Sequence, residues 1–186
     1  MKGIIFNLLE EVVTHQFGDE AWEDLIDRAG VQGVYTSLGS YPDEELLALL
    51  QATPGLVGLP AADLIRWFGR ASIPLLAERY PVFFDGHNSS RSFLRTLNDI
   101  IHPEVRKLYP GADVPVFDFD VGPDTDASDD VVIVGYRSAR RLCALAEGFI
   151  EGTADYFSER VRIEQPSCMH RGDERCALLC TFSPAA

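Results

Sequence analysis

Positive charge is scarce in this sequence: 16 Lys and Arg stand against 29 Asp and Glu, a formal net charge of −13 over 186 residues. That balance repels phosphate backbones and anionic headgroups, so neither nucleic acid nor a membrane surface is an expected partner. Long apolar runs are also missing, none approaching the ~20 residues of a membrane span. Lys2 is followed by Glu10 and Glu11 without a charged-then-apolar export pattern, so a cytoplasmic location is expected, with the four cysteines reduced. No nucleotide-binding glycine loop, Ser-His-Asp spacing or pair of catalytic carboxylates stands out, and the chain is read as a binding protein, not an enzyme. The acidic stretch 122–130 reads as a solvated turn.

What is present is enough apolar material, 46% of the chain, for one sizeable core, so a single domain over 1–186 is expected. Ile4, Ile5, Leu8, Leu9, Val12 and Val13 fall on one helical stripe that begins almost at the first residue. Asp19 can cap a second helix through Trp22, Leu25 and Ile26, with Gly30 as a left-handed stop. Ser40 or Asp43 opens a third around Leu46–Leu50, which ends before Thr53-Pro54-Gly55. Pro60 to Tyr80 reads as a longer helix that Pro74 should kink or divide. Phe93 to Ile101 predicts another, and Pro103 suits the first turn of a helix to Leu108.

Beyond residue 112 the texture changes. Val114 to Val121 and Val131 to Val134 are β-rich runs that predict a hairpin, a helix is expected over about Ser138–Glu151, and alternating segments near 155–165 and 175–182 complete an antiparallel sheet. Helices first and strands later make the class α+β: an N-terminal helical part, about 1–60, packed on proximal helices and a sheet, about 61–186.

Two constellations carry candidate chemistry. His102, beside Ile100 and Ile101, should point into an apolar interior, where an imidazole serves equally as a buried polar group and as an axial ligand for heme iron. Tyr136, Ser138 and Arg140 leave a predicted strand and enter a predicted helix. Two hydroxyls and a guanidinium there can converge on a carboxylate, or Ser138 can simply cap the helix beside a solvated Arg pair. Three of the four cysteines, Cys168, Cys176 and Cys180, crowd the C-terminal end, which favours a metal or thiol site over a disulfide framework.

Together, His102-Pro103 and, about 34 residues on, Tyr136-x-Ser138-x-Arg140 resemble the heme-nitric oxide/oxygen binding (H-NOX) family in its bacterial stand-alone form. The likeness spans the chain, taking in Met1-Lys2-Gly3, Trp67-Phe68-Gly69-Arg70, the Tyr80-Pro81 to Phe84 segment, Gly111-Ala112 and Gly148 through Gly152. It implies a heme b between helical part and sheet, His102 on the iron, and Tyr136, Ser138 and Arg140 on the propionates. It also places Ile5, Leu9, Ser72, Leu76, Leu145 and Phe149 near the heme, with Pro115 at a position that distorts the macrocycle in relatives. Oxygen-stabilising members carry a distal Tyr where this chain has Leu145, so selectivity for NO, with CO also binding, is the implied outcome; Ser72 is the one candidate donor. Signalling in trans to a histidine kinase or a diguanylate cyclase/phosphodiesterase is implied too.

Some bacterial relatives bind structural zinc through three cysteines and a histidine. Cys143, Cys168 and Cys176 match that pattern, but Gln165 stands where the histidine would be, leaving His170 or Cys180 as the candidate fourth ligand. A thiol or zinc redox sensor built on this cluster is the alternative reading.

Overall fold

The structure, a computed structural model, describes residues 1–53, 58–120 and 131–185. The expected acidic turn at 122–130 lies outside the described residues. Helix α1 (Gly3–Phe17) has no side-chain cap. Its first N–H groups are satisfied by the chain at 37–39 instead, Gly3 N donating to the Gly39 carbonyl and Ile4 N to that of Ser37. α2 (Glu20–Ala29) ends at Gly30, whose φ of 66° is the left-handed stop its sequence position demanded. Asp19 itself sits in helical geometry and makes no capping bond. α3 (Asp43–Ala52) starts at Asp43, after Pro42.

α1, α2, α3 and the first half of the next helix, α4 (Ala61–Arg79), share one core that includes Phe6, Leu9, Leu25, Leu49, Leu64 and Phe68. α4 continues through Pro74 as one helix and does not divide there. Pro74 has no N–H to return to the Arg70 carbonyl. That carbonyl instead faces Gly152 so closely that a Cβ there would stand 2.5 Å away. A neighbouring helix thus covers the unpaired group.

The next segment is more broken than its apolar spacing suggests. A 3-10 turn (Pro81–Phe83) leads to a short α5 (Ser90–Leu94) capped by Ser89 Oγ, then a π turn over Leu97–Ile101, then α6 (His102–Leu108). Pro103 sits in the first turn of α6; a continuous α-helix would drive its ring into the carbonyl four residues back, and the wider π turn avoids that clash.

β1 (Val116–Asp120), β2 (Val131–Arg137), β3 (Glu159–Ser167) and β4 (Cys176–Pro184) form one antiparallel sheet in the order β1-β2-β4-β3. Phe117 pairs with Tyr136, and Cys180 pairs with Val132 on one side and Ile163 on the other. Val132, Val134, Tyr136, Leu178, Cys180 and Phe182 put one face of this sheet into a second core. Helix α7 (Cys143–Tyr156) covers that face with Ala146, Ile150 and Ala154, and packs along α4 on its other side. Its start lies five residues beyond the expected one because 138–142 form a turn: Ser138 Oγ accepts from the Arg140 amide and Arg141 takes a φ of 53°. No helix among the described residues is long and apolar enough to cross a membrane.

Candidate functional site

Between the two cores lies a cavity of about 340 Å³, within the range of small-molecule and cofactor pockets. Its lining is overwhelmingly apolar, drawn from α1, α4, the segment 93–115, the sheet and α7. His102 reaches it from the junction of the π turn and α6, with its ring centroid 5.6 Å from that of Phe117. Burial, reinforced by the Arg106 charge, pushes its pKa down to about 4 against a small opposing pull from the Pro115 carbonyl. The ring is therefore neutral at physiological pH, the state an imidazole needs to donate a lone pair to iron. Its Nδ1 is buried and has no hydrogen-bond partner of ordinary geometry.

Tyr136, Ser138 and Arg140 meet at the cavity's rim. The Tyr136 hydroxyl accepts the Leu142 amide at 3.0 Å, which fixes the turn before α7. The Arg140 guanidinium is tied into the chain. Its Nε donates to Asp43 Oδ2 at 2.8 Å, and its Nη1 donates to the Asp113 carbonyl at 2.7 Å and to Asp113 Oδ2 at 3.1 Å. Partial burial works against the Asp43 carboxylate, but the N-terminal ammonium and Arg140 hold it below the usual carboxylate range. The guanidinium is thus a built carboxylate receptor, tied at present to two carboxylates of the chain itself.

Ile5, Leu76, Pro115, Leu145 and Phe149 all line the cavity. Leu9 and Ser72 do not. A helix turns about 100° per residue, and α1 presents Ile4, Ile5 and Leu8 while Leu9 packs into the first core. On α4 the cavity side is Ile73 and Leu76, and the Ser72 hydroxyl is spent on the Phe68 carbonyl at 2.7 Å, so it is no donor to a cavity ligand. Thr153 lines the cavity too, and its hydroxyl is likewise spent on the Phe149 carbonyl.

The sulfurs of Cys143, Cys168 and Cys176 gather within 4.8 Å of one another, all buried and none oxidised. Burial raises the pKa of Cys143, and pushes that of Cys176 up to about 12, so a metal entering here must displace protons. Neither candidate fourth ligand belongs to the group. Cys180 is four residues along β4 from Cys176, roughly 13 Å at the rise of a strand. The exposed His170 turns its Nε2 to the Arg141 carbonyl at 2.7 Å.

Residue spacing carried no sign of Asp43 or Asp113 as partners of Arg140, since the contacts join α3, the loop after α6 and the turn before α7. Also unforeseen is the Tyr80–Tyr109 hydroxyl pair on the cavity wall, in which burial and the Tyr80 hydroxyl raise the pKa of Tyr109.

Known proteins share this fold. The family model described as Haem-NO-binding matches residues 2–165. A triple mutant of an H-NOX protein from S. oneidensis in the Fe(II) state is 32% identical with a TM-score of 0.86, covering 100% of this chain and 98% of its own. An H-NOX protein from S. oneidensis in the Fe(II)NO state gives 33% and 0.85, covering 98% of this chain and 99% of its own. A Shewanella oneidensis H-NOX domain in the Fe(II)CO state gives 33% and 0.84 with the same coverage. With the family model spanning most of its length and these structures matching it end to end, the chain belongs to the haem-NO-binding, or H-NOX, family, whose members are heme-based gas sensors.

Proposed function

We propose that this protein senses nitric oxide through a heme b held by His102, with Tyr136, Ser138 and Arg140 on the propionates. The observation that carries this is the pairing, across one apolar cavity, of a half-buried neutral imidazole with a guanidinium already bound to carboxylates. Heme bound there would be held by His102 and would supply an iron able to take up a diatomic gas. Arg140 would offset the propionate charge and the two hydroxyls would donate hydrogen bonds to it, in a chain of net charge −13.

Selectivity for NO over oxygen is our inference from the side chains that the resemblance places beside the ligand. Bound oxygen draws negative charge and is held by a hydrogen-bond donor, whereas NO and CO need none. Ile5, Leu76, Leu145 and Phe149 offer none, and the Thr153 hydroxyl is occupied. His102 opens α6 directly after the π turn, and π turns within helices recur at functional sites. The helical part, about 1–60, would then shift against the rest of the single domain, and a histidine kinase or diguanylate cyclase/phosphodiesterase acting in trans reads the shift by binding the two states with different affinity.

Absorption spectra of the purified protein test this: ferrous, then with NO, CO and O2, each against His102→Gly. The expected outcome is a Soret band that shifts with NO and CO but forms no stable oxygen complex, and that is lost in His102→Gly unless imidazole is supplied. Absence of a Soret band in heme-supplemented protein defeats the heme reading; a stable oxygen complex defeats NO selectivity alone.

A second reading rests on a separate observation, the three sulfurs within 4.8 Å. Zinc held there, or the thiols alone, would make the cluster a redox sensor, tested by metal analysis of the protein and of Cys168→Ala.

A further inference from the structure

Burial does little to hold α6 against the rest of the molecule. None of its seven residues is buried, although it opens with His102, and Val105 is the one that packs partly against the second core. What fixes the start of this helix is polar and lies just upstream. Asn98, half-buried in the π turn, pairs its side-chain amide with both main-chain groups of Phe117. Its Nδ2 donates to the Phe117 carbonyl, and the Phe117 amide donates to Asn98 Oδ1 at 3.3 Å. β1 lies at the edge of the sheet, and the Asn98 amide covers these two groups as the peptide of a further strand would.

We propose that Asn98 is a positioning residue for the iron ligand: by docking the π turn on β1, it sets where His102 stands at the cavity and how its imidazole reaches iron. This rests on the heme reading above. The His102 amide donates to the Leu97 carbonyl, five residues back, so the turn that Asn98 docks runs straight into the ligand. The ring of Phe117, whose backbone Asn98 grips, lies 5.6 Å from that of His102 and 5.7 Å from that of Tyr136, centroid to centroid. Phe117 also stands opposite Tyr136 in the β1–β2 register. One side-chain amide therefore ties the imidazole to the strand pair that carries Tyr136. Just beyond the far end of α6, the Tyr109 and Tyr80 hydroxyls join it to the end of α4, which leaves Asn98 as the polar tie at the ligand's end. The chemistry calls for an amide, which offers a donor and an acceptor side by side. A carboxylate of the same shape keeps the acceptor, loses the donor and sets a negative charge beside the Phe117 carbonyl. A leucine of similar size loses both.

The test compares wild type, Asn98→Asp and Asn98→Leu, with far-UV circular dichroism confirming that each folds. It has three readouts: hydrogen exchange at the Phe117 amide in heme-free protein, the iron–imidazole stretching band in the resonance Raman spectrum of ferrous heme-loaded protein, and the rate of heme transfer to an excess apo acceptor. Asn98→Leu is expected to exchange the Phe117 amide at least about 10-fold faster, to shift or split the band, and to lose heme roughly 10-fold faster. Asn98→Asp is expected to keep that amide protected and still move the band, since the bond it loses is the one to the carbonyl. A merely structural Asn98 would lower Tm and leave the band where wild type has it, so an unmoved band in Asn98→Leu overturns the assignment. Equal exchange of the Phe117 amide in Asn98→Leu and wild type overturns it too, because the pairing is then not formed in solution. If Asn98→Leu does not fold, an unmoved band in Asn98→Asp decides the same way. Wild type without a Soret band after heme supplementation defeats the heme reading and this assignment with it.

Discussion

The contact between α4 and α7 sets the walls of the cavity, and Gly148→Ala measures how tightly. A Cβ at 148 would lie 2.1 Å from the Arg66 carbonyl oxygen, 2.9 Å from its carbon and 3.0 Å from the Arg70 nitrogen, all of them backbone. No side chain can swing away, so the helices must part by about 0.9 Å to bring the closest contact to the 3.0 Å that real Cβ atoms respect. A Cβ at Gly69 or Gly152 would meet the opposite backbone at 2.7 or 2.5 Å, so the approach is close along the whole interface. A gap of that size forfeits a quarter to a half of each dispersion contact it touches, and overpacking of this kind costs about 3 kcal/mol. Replacing a helical glycine returns about 1 kcal/mol of propensity, for a net loss of about 2 kcal/mol. For a chain of this length that is a fall in Tm of about 4–8 °C, followed by circular dichroism. Propensity alone predicts a rise, so the sign decides: a Tm at or above wild type refutes the close-contact reasoning. Gly86→Ala, where nothing lies within 4 Å, is the control and should stay within about 0.5 kcal/mol.

Other outcomes follow from the site and its turn. In heme-free protein His102 stays neutral down to about pH 4 while the unfolded chain's imidazole protonates near 6.5, so stability is full above pH 6.5 and falls as pH drops toward 4, by up to about 3 kcal/mol. Urea titrations at pH 7 and 4.5 should show that loss reduced in His102→Leu; an equal loss in both would sink the assignment. If Arg140 grips the propionates as proposed, Arg140→Ala should speed heme transfer to an excess apo acceptor protein by roughly 10- to 100-fold; a change under about twofold counts against its role. Arg141→Gly relieves a left-handed φ of 53° and should stabilise the protein by about 1 kcal/mol, and Ser158→Gly, at φ 56°, should behave alike in thermal unfolding.

The elements most legible in the sequence were those whose period is enforced by burial. α1 and the sheet announce themselves because their buried positions recur every 3.6 and every 2 residues, and a register error would expose the core. What spacing could not supply was which way each turn of a helix faces. Ile5 and Leu9 share a stripe four apart, yet one lines the cavity and the other the core between helices, because the stripe is wide enough to serve both. The late start of α7 was hidden for another reason: Ser138 could cap a helix or close a turn, and Arg141 gives no local sign that it will take a positive φ. Pro74 misleads in the opposite direction, since the group that tolerates it, Gly152, is remote in sequence.

The turn from Ser138 to Leu142 also joins the two candidate sites. Arg140 is anchored to Asp43 and Asp113 at the cavity rim, the Arg141 carbonyl accepts from His170 in the cysteine loop when that ring is protonated at Nε2, the Leu142 amide is held by Tyr136, and Cys143 follows at once. Five residues, one of them strained, therefore carry the proposed propionate receptor at one end and lead into a cluster sulfur at the other. Ordering either end narrows the conformations open to the other, so zinc at the cysteines should slow heme release from the cavity. Linkage then makes the relation reciprocal for the binding constants: whatever factor zinc adds to heme affinity, heme must add to zinc affinity. Measuring both constants, each with and without the other ligand, checks the coupling without assuming its size. A factor of one in both directions would mean that the turn isolates the two sites, and unequal factors would mean that equilibrium was not reached.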